Sequence, residues 1–139
     1  MHACAECGTG HPKWSGQCTG CGAWNTLVEE VLGDAHVDRV TGTATGIDAD
    51  FQRWLTEAAW GSIWTRDELD RRTRSCITIA VLTALRAEGE LALHIRAGRR
   101  NGLTPAEIAE VIMHTAAYAG IPAANTAIAV AKQVLAEDP

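Results

Sequence analysis

Residues 70–100 read DRRTRSCITIAVLTALRAEGELALHIRAGRR, and the remainder of the chain is interpreted outward from this segment. It begins with three arginines and then turns apolar from Cys76 to Leu85. Because the apolar part contains no Gly or Pro and has almost no polar face, it predicts a helix buried in the middle of a core. We expect this central helix to cover about residues 67–86.

A second, shorter helix is predicted to carry Glu90 and His94. These residues lie four positions apart, so a helix places both side chains on one face. Acid–base chemistry on an anionic substrate needs a carboxylate beside an imidazole, close to cations. The pattern therefore makes His94 and Glu90 candidate catalytic residues. A surface Glu–His pair beside solvated arginines is the alternative, and composition alone favours it.

Arginine is far more frequent than lysine in this chain, and most of the arginines fall between residues 71 and 100. A guanidinium binds a carboxylate through two parallel hydrogen bonds, so Arg72 and Arg74 are candidates to bind substrate carboxylates. Solvated charge or salt bridges between subunits are the alternatives for both. His36, in the phrase GDAHVDR, is a lower-ranked candidate for substrate binding.

The composition is that of a folded protein: 139 residues, 47% hydrophobic and 21% charged. This length holds one ordinary domain, or a small module plus a compact domain. The net charge is -5, so nothing global attracts nucleic acid or an anionic membrane. Neither a secretory leader nor a bilayer-spanning run is recognisable, which predicts a soluble, cytoplasmic protein.

Four cysteines occur near the amino terminus as two C-x-x-C pairs, each followed by glycine. Four thiolates are the number that a closed tetrahedral zinc site takes. Thirty residues bury too little core to fold alone, so the metal would provide most of the stability. Disulfides are the alternative, which a cytoplasmic location disfavours. We therefore predict a structural zinc module over residues 1–30, with the ligands Cys4, Cys7, Cys18 and Cys21.

The segment CAECGTGHPKWSGQCTGCGAWNTLVEE resembles the amino-terminal zinc module of the bacterial RadA/Sms recombination proteins. In that family the module precedes an ATPase, but no G-x-x-x-x-G-K-[ST] loop follows here, so recombination activity does not carry over. Residues 1–30 hold Lys13 against Glu6, Glu29 and Glu30, a net charge of -2. This balance makes nucleic acid an unlikely partner.

The remaining segments predict an all-helical body. Residues 31–46 read as an ordered loop or arm. Thr104, Pro105 and Glu107 form a capping box with proline in the first turn, and Gly120 ends the helix that they begin. Beyond the central pair, we expect helices over residues 49–60, 105–118 and 122–137.

Several phrases of this body, in order, resemble the carboxymuconolactone decarboxylase/AhpD-like family: GDAHVDR, AWGSIWTR, LDRRTRSCITIAVLTAL, EGELALHIRAGRRNGLTPAEI and HTAAYAGIPAANTAI. The resemblance covers residues 31–139 and implies a compact all-α, AhpD-like domain. It also implies a homo-oligomer, typically a hexamer, and no cofactor for catalysis. The implied reaction converts 4-carboxymuconolactone, a small dicarboxylate lactone, into 3-oxoadipate enol-lactone and carbon dioxide, in protocatechuate catabolism.

Two departures from the family pattern bear on function. Members normally have an amino-terminal helix before the GDAHVDR phrase, and here the zinc module replaces it. A zinc-module binding protein with a catalytically inactive helical oligomerisation domain is therefore the alternative function. The family's thiol peroxidases carry a C-x-x-C pair before the equivalent histidine, whereas Ala87 and Glu90 occupy those positions here. Without thiols, peroxidase chemistry has no nucleophile.

Overall fold

The computed structural model describes residues 2–3, 10–11, 26–43 and 45–137. The chain divides into two compact units, Met1–Glu68 and Leu69–Pro139. All four predicted zinc ligands lie outside the described residues. No helix in the described part of the chain is both long and apolar enough to cross a membrane.

The first unit contains two very short strands and a series of short helices. Strands β1 and β2 pair antiparallel, with His2 opposite His11. The helix α3 that was predicted to continue to residue 60 instead changes into a π-helical turn. In order, the elements are β1 His2–Ala3, β2 Gly10–His11, α1 Thr26–Leu32, α2 Asp34–Thr43, α3 Ala49–Leu55 and the π-helical turn Thr56–Gly61.

The prediction of a loop or arm over residues 31–46 is wrong. Helix α1 ends within it and α2 occupies most of the remainder, separated by Gly33 with φ of 90°. Val37 of α2 is buried, so an apolar contact stabilises a helix whose Thr- and Gly-rich end resembles a loop. The predicted boundary between the zinc module and the helical domain, after residue 30, falls within helix α1. This boundary stays a prediction.

The second unit consists of four helices, which confirms the predicted all-α fold. The connection between the first two is only Arg86 and Ala87, and Arg86 adopts the left-handed conformation with φ of 56°. The second helix is longer than the short one predicted around Glu90 and His94. The four helices are α4 Arg71–Leu85, α5 Glu88–Arg100, α6 Pro105–Ala119 and α7 Ile121–Glu137.

The predicted start and end of α6 are confirmed. Thr104 Oγ1 accepts a hydrogen bond from the backbone N–H of Glu107, 3.1 Å away, and the Glu107 carboxylate accepts one from the backbone N–H of Thr104, 2.8 Å away. Gly120, with φ of 100°, follows the last residue of α6. This reciprocal cap fixes where α6 leaves the α5–α6 connection.

The core of the second unit forms where α4 and α5 meet α6 and α7. Gly98 allows the closest approach: a Cβ atom there would lie 3.0 Å from Leu103 Cδ1 and 3.2 Å from Ile79 Cδ1. Alanines of α7 give that helix a narrow face suited to close packing. The buried core residues are Ile79, Leu91, Ile95, Leu103, Ile108, Ile112, Ala124, Ala127, Ala131 and Val134.

The prediction that α4 is buried on all sides is wrong. Ser75, Ile79 and Thr83 face the core, but Ile77 and Val81 remain 48% and 49% exposed. Positions four apart share a face of the helix, so α4 carries one buried stripe and one exposed apolar stripe. Apolar composition alone does not show whether other helices of the chain cover every face of a helix or leave one apolar face exposed to solvent.

We predict that Ile79→Ala lowers the free energy of unfolding by about 2–5 kcal/mol, because it removes a fully buried side chain from a packed core. The control is Lys132→Ala, an exposed change on α7, which we expect to cost less than about 1 kcal/mol. Chemical denaturation monitored by circular dichroism measures both. Equal losses from the two variants would contradict the assignment of the buried face.

Candidate functional site

The start of α4 is set by Asp70. Its Oδ1 atom accepts a hydrogen bond from the backbone N–H of Thr73 at 2.7 Å, and this bond holds the pKa of the Asp70 carboxyl below its ordinary value. The cap places Arg71, Arg72 and Arg74 in the first turn, where the helix dipole disfavours cations. Helix stability therefore does not explain why arginines occur at these positions. The groups that they contact must explain it.

Arg72 has a partner within the chain. Its Nη2 atom donates to Oε1 of Glu107, and both side chains are partly exposed. The backbone hydrogen bond from Thr104 is the larger cause and Arg72 a further cause of a lowered pKa at the Glu107 carboxyl. The Arg72 side chain also lies beside Gly102, whose Cβ, if present, would be 3.8 Å from Arg72 Cδ. One carboxylate thus caps α6 and joins it to α4.

Arg74 is the more enclosed of the two candidate carboxylate ligands. Its side chain is buried, and solvent does not reach its Nε atom. The neighbouring Ser75 is completely buried and accepts a hydrogen bond from Nδ2 of Asn101 at 2.9 Å. This bond fixes the start of α4 beside the end of α5, and with it the position of Arg74.

His94 lies on the same face of α5 as Asn101, seven residues and two turns earlier. The face that carries Asn101 is turned toward α4. His94 is half-buried, and its Nδ1 atom is inaccessible to solvent. Along the helix axis, His94 is about 10 Å from the level of Asn101 and Ser75. The structure thus separates the imidazole from the start of α4 by a length that a small dicarboxylate can span.

Glu90 shares the His94 face, as a helix over both residues requires. Its side chain is exposed, and no hydrogen bond or ion pair of its carboxylate is found among the residues that the structure describes. Its assistance to His94 therefore stays a prediction.

His36 belongs to the first unit and lies on α2, where Arg39 Nη2 is 3.0 Å from its Nδ1 atom. Its participation in a site with His94 stays a prediction. Within the described residues, no group of three or more His, Cys, Asp or Glu side chains is arranged to hold a metal ion. The predicted cysteine ligands fall outside those residues. Burial raises the pKa of the Cys76 thiol, which disfavours a reactive thiolate there.

Sequence reasoning missed Ser75 and Asn101 as residues that position the site, and it missed Glu107 as the partner of Arg72. Ser75 was visible as a polar residue at the head of an apolar run. Asn101 precedes Gly102 and resembles an ordinary helix end, so its contact with α4 had no local signal.

Comparison with known proteins identifies the helical part of the chain. A model of the carboxymuconolactone decarboxylase family matches residues 49–133. The chain belongs to this family. A 4-carboxymuconolactone decarboxylase from Acinetobacter baylyi is 47% identical over 105 residues, which cover 76% of this chain and 78% of that protein. Nitrosuccinic acid decarboxylase from Metarhizium robertsii is 36% identical over 107 residues, which cover 77% and 75%.

The amino terminus has a different relationship. Residues 2–29 match the family described as rubredoxin metal binding domain. DNA repair protein RadA from Pseudomonas aeruginosa is 66% identical over 32 residues, which are 23% of this chain but only 7% of RadA. The predicted resemblance to the RadA amino terminus is confirmed, and it extends over a small part of that protein.

We predict that the second unit loses stability in acid through its two helix caps. Because the pKa values of Asp70 and Glu107 are lowered by folding, their contribution is complete above their unfolded values near pH 4 and is lost as the pH falls through the lowered values. Glu107→Gln should therefore weaken the dependence of thermal midpoint on pH below about pH 5. Glu110→Gln, an exposed change on the same helix, is the control. Identical acid profiles for wild type and Glu107→Gln would contradict the assignment.

Proposed function

We propose that this protein is a cofactor-free decarboxylase that converts 4-carboxymuconolactone into 3-oxoadipate enol-lactone and carbon dioxide. The observation that carries the proposal is the 47% identity to a 4-carboxymuconolactone decarboxylase over about three quarters of both chains. The α4–α5 pair supports it, because it holds a buried guanidinium and a half-buried imidazole about two helical turns apart.

The reaction needs little beyond charge placement and a proton. The bond between the ring carbon and its carboxylate breaks, and the electron pair moves through the ring double bond to the lactone carbonyl oxygen. The resulting dienolate takes a proton at the carbon next to the carbonyl. The enzyme must therefore hold the spectator carboxylate, stabilise the oxyanion and deliver one proton. The lactone itself accepts the electrons, so the chemistry needs no organic cofactor.

Arg74 is the first choice to hold a substrate carboxylate. Its burial removes competing water, so its attraction for an anion exceeds that of an exposed arginine. Arg72 ranks second, because its side chain is 44% exposed and water competes for its guanidinium. We also propose a supporting role in substrate binding for His36.

His94 is the proposed proton donor. Its face of α5 is turned toward α4, and its partial burial limits exchange with bulk water. Glu90, one turn earlier on the same face, is proposed to orient the imidazole. Protonation by Glu90 itself is the alternative within the same mechanism.

The assay that tests the function follows 4-carboxymuconolactone decay and, separately, nitrosuccinate decay with the purified full-length protein. We expect turnover of the lactone to exceed that of nitrosuccinate. Turnover of nitrosuccinate alone would support a decarboxylase but would contradict 4-carboxymuconolactone as its substrate. No turnover of either would favour the alternative, a metal-module binding protein with an inactive helical domain.

We predict that His94→Ala lowers kcat by about a hundredfold or more, because it removes the group that protonates the dienolate. His114→Ala is the matched control, since His114 is exposed on α6 and its ring lies tilted against that of Tyr118, with centroids 5.4 Å apart. Circular dichroism should show unchanged helix content in both variants. Full activity of His94→Ala would remove His94 from the mechanism.

For the amino terminus, we propose one structural zinc ion held by Cys4, Cys7, Cys18 and Cys21. Two C-x-x-C pairs supply the sulfur donors of a closed tetrahedral site, which suits zinc and also suits the iron of rubredoxin-type sites. The pairing of β1 with β2 supports this, because the segment that joins these strands carries Cys4 and Cys7. The proposed ion takes no part in decarboxylation.

We predict about one zinc and no iron per chain in protein purified under reducing conditions, measured by elemental analysis. Cys18→Ser should lower the zinc content, because it removes one of the four thiolates, whereas Cys76→Ser should leave it unchanged. Bound iron, or zinc retained in full by Cys18→Ser, would contradict the assignment.

We also propose a cytoplasmic homo-oligomer, with the family's hexamer as the expected form. The exposed apolar stripe of Ile77, Val81 and Leu85 on α4 supports assembly, because apolar rows of this kind are normally covered.

A further inference from the structure

Helix α1 lies where two regions of the sequence meet. Its residues 26–29 belong to the region that matches the metal-binding family, residues 2–29, whereas the decarboxylase match begins only at residue 49. The structure does not divide between these regions. The first compact unit, Met1–Glu68, contains the whole metal-binding region together with the start of the decarboxylase match. The boundary between folded units therefore lies well after the boundary between sequence families.

Helix α1 buries every apolar side chain that it carries. Leu27, Val28, Val31 and Leu32 are each at most 7% exposed. A helix of seven residues is too short to be stable by itself, so packing on neighbouring elements has to hold it. This burial is typical of a core helix, whereas a linker between independent domains is exposed.

The elements that α1 contacts lie outside the metal-binding region. They are α2 and the π-helical turn, which carries the buried Trp60. The Trp60 ring lies tilted against that of Trp64, with centroids 5.0 Å apart. The buried Thr65 donates its hydroxyl to the backbone oxygen of Gly61 at 2.9 Å, which fixes the end of the turn. Helix α1 is therefore part of the packing around this turn.

The connection between α1 and α2 is the single residue Gly33. Its backbone N–H donates to the backbone oxygen of Glu29 at 2.9 Å, and its own backbone oxygen accepts from the N–H of Val37 at 3.3 Å. Val37 is buried on α2. Because both helices hydrogen-bond to the residue that joins them, no flexible linker lets α1 move independently of α2.

Metal binding would act on the other end of α1. Cys21, the last of the four proposed ligands, precedes Thr26 by five positions. A bound ion would therefore restrict the chain that leads into the helix. The helices of this unit have at most ten residues in the part of the chain that the structure describes. Small units built from such short elements ordinarily need a metal or another cross-link for stability.

We propose that residues 1–68 fold as one metal-dependent unit, in which α1 couples zinc binding by the four cysteines to the packing of α2 and of the π-helical turn. The inference rests on the proposed zinc site, and it adds that the helical segment after the module requires the metal. Such a coupling is reciprocal, so weaker packing of α2 also weakens the binding of zinc.

The first test removes zinc from the full-length protein with a chelator under reducing conditions. Hydrogen–deuterium exchange, measured by mass spectrometry, follows each segment, and elemental analysis gives the zinc content before and after. Chelation should raise the exchange rates of α1, α2 and the π-helical turn by about tenfold or more, and added Zn²⁺ should restore them. Helix α6, which belongs to the other unit, is the internal reference.

Val37→Ala tests the reverse direction. It removes buried methyl groups from α2, outside the metal-binding region, and should weaken Zn²⁺ binding about tenfold in competition with a chelator. Val134→Ala is the matched control, because it makes the same change in the core of the second unit. We expect it to leave the affinity for Zn²⁺ unchanged.

The outcomes distinguish the zinc site from the coupling. Protein that binds no metal would overturn both. Zinc binding with unchanged exchange of α2 and the π-helical turn after chelation would overturn the coupling alone, as would an unchanged affinity for Zn²⁺ in Val37→Ala. An equal rise in the exchange of α6 would also overturn it, because the metal would then stabilise the whole chain rather than one unit.

Discussion

The close packing of α4 against α5 at Gly98 is the contact on which the rest of the helical unit depends. Because Gly98 has no Cβ, the Ile79 and Leu103 side chains pack directly against the backbone of α5. That approach brings Ser75 within hydrogen-bonding distance of Asn101. The face of α5 with His94 is consequently turned toward the helix that carries Arg74. Apolar packing thus sets the geometry that the proposed chemistry uses.

Polar interactions then fix the ends of these helices. Asp70 sets the first residue of α4, and Glu107 both caps α6 and pairs with Arg72. The Arg72–Glu107 ion pair connects α4 with α6 through residues that are far apart in sequence. Because both side chains are partly exposed, the pair fixes the relative position of the two helices more than it adds to the free energy of unfolding. Arg72 thus contributes to the fold, and Arg74 is the more enclosed of the two arginines.

Local signals explain which parts of the fold were predictable from sequence. The capping box at Thr104 and Glu107 and the glycine at residue 120 gave the limits of α6, because caps are encoded by adjacent residues. By contrast, the Arg72–Glu107 and Ser75–Asn101 contacts join residues 35 and 26 positions apart. No local pattern encodes such pairs. The exposed stripe of α4 was missed for a related reason, since composition does not show which neighbour covers a face.

Part of the candidate site was also predictable. The four-residue spacing of Glu90 and His94 on one helix face follows from helical periodicity, and the structure has both residues on α5. The burial of Arg74 was not predictable, because an arginine in the first turn of a helix is ordinarily solvated. Helix α2 was missed because its Thr- and Gly-rich end resembles a loop, although the buried Val37 side chain holds it in place.

The amino-terminal residues 2–29 match a metal-binding family, whereas residues 49–133 match a decarboxylase family. The amino-terminal match covers a small part of RadA, whereas the decarboxylase match covers most of its relatives. The larger match and the arrangement of α4 and α5 together support catalysis as the main function.

The central claim is that a positioned residue protonates the dienolate, and the most direct measurement is the reaction in D₂O. Early product from the full-length protein, analysed by NMR in a chiral aligning medium that distinguishes enantiomers, should carry one deuterium on the carbon next to the lactone carbonyl, in a single configuration. A mixture of both configurations at this carbon would show that solvent protonates a released dienolate. That result, or the absence of product, would contradict the account.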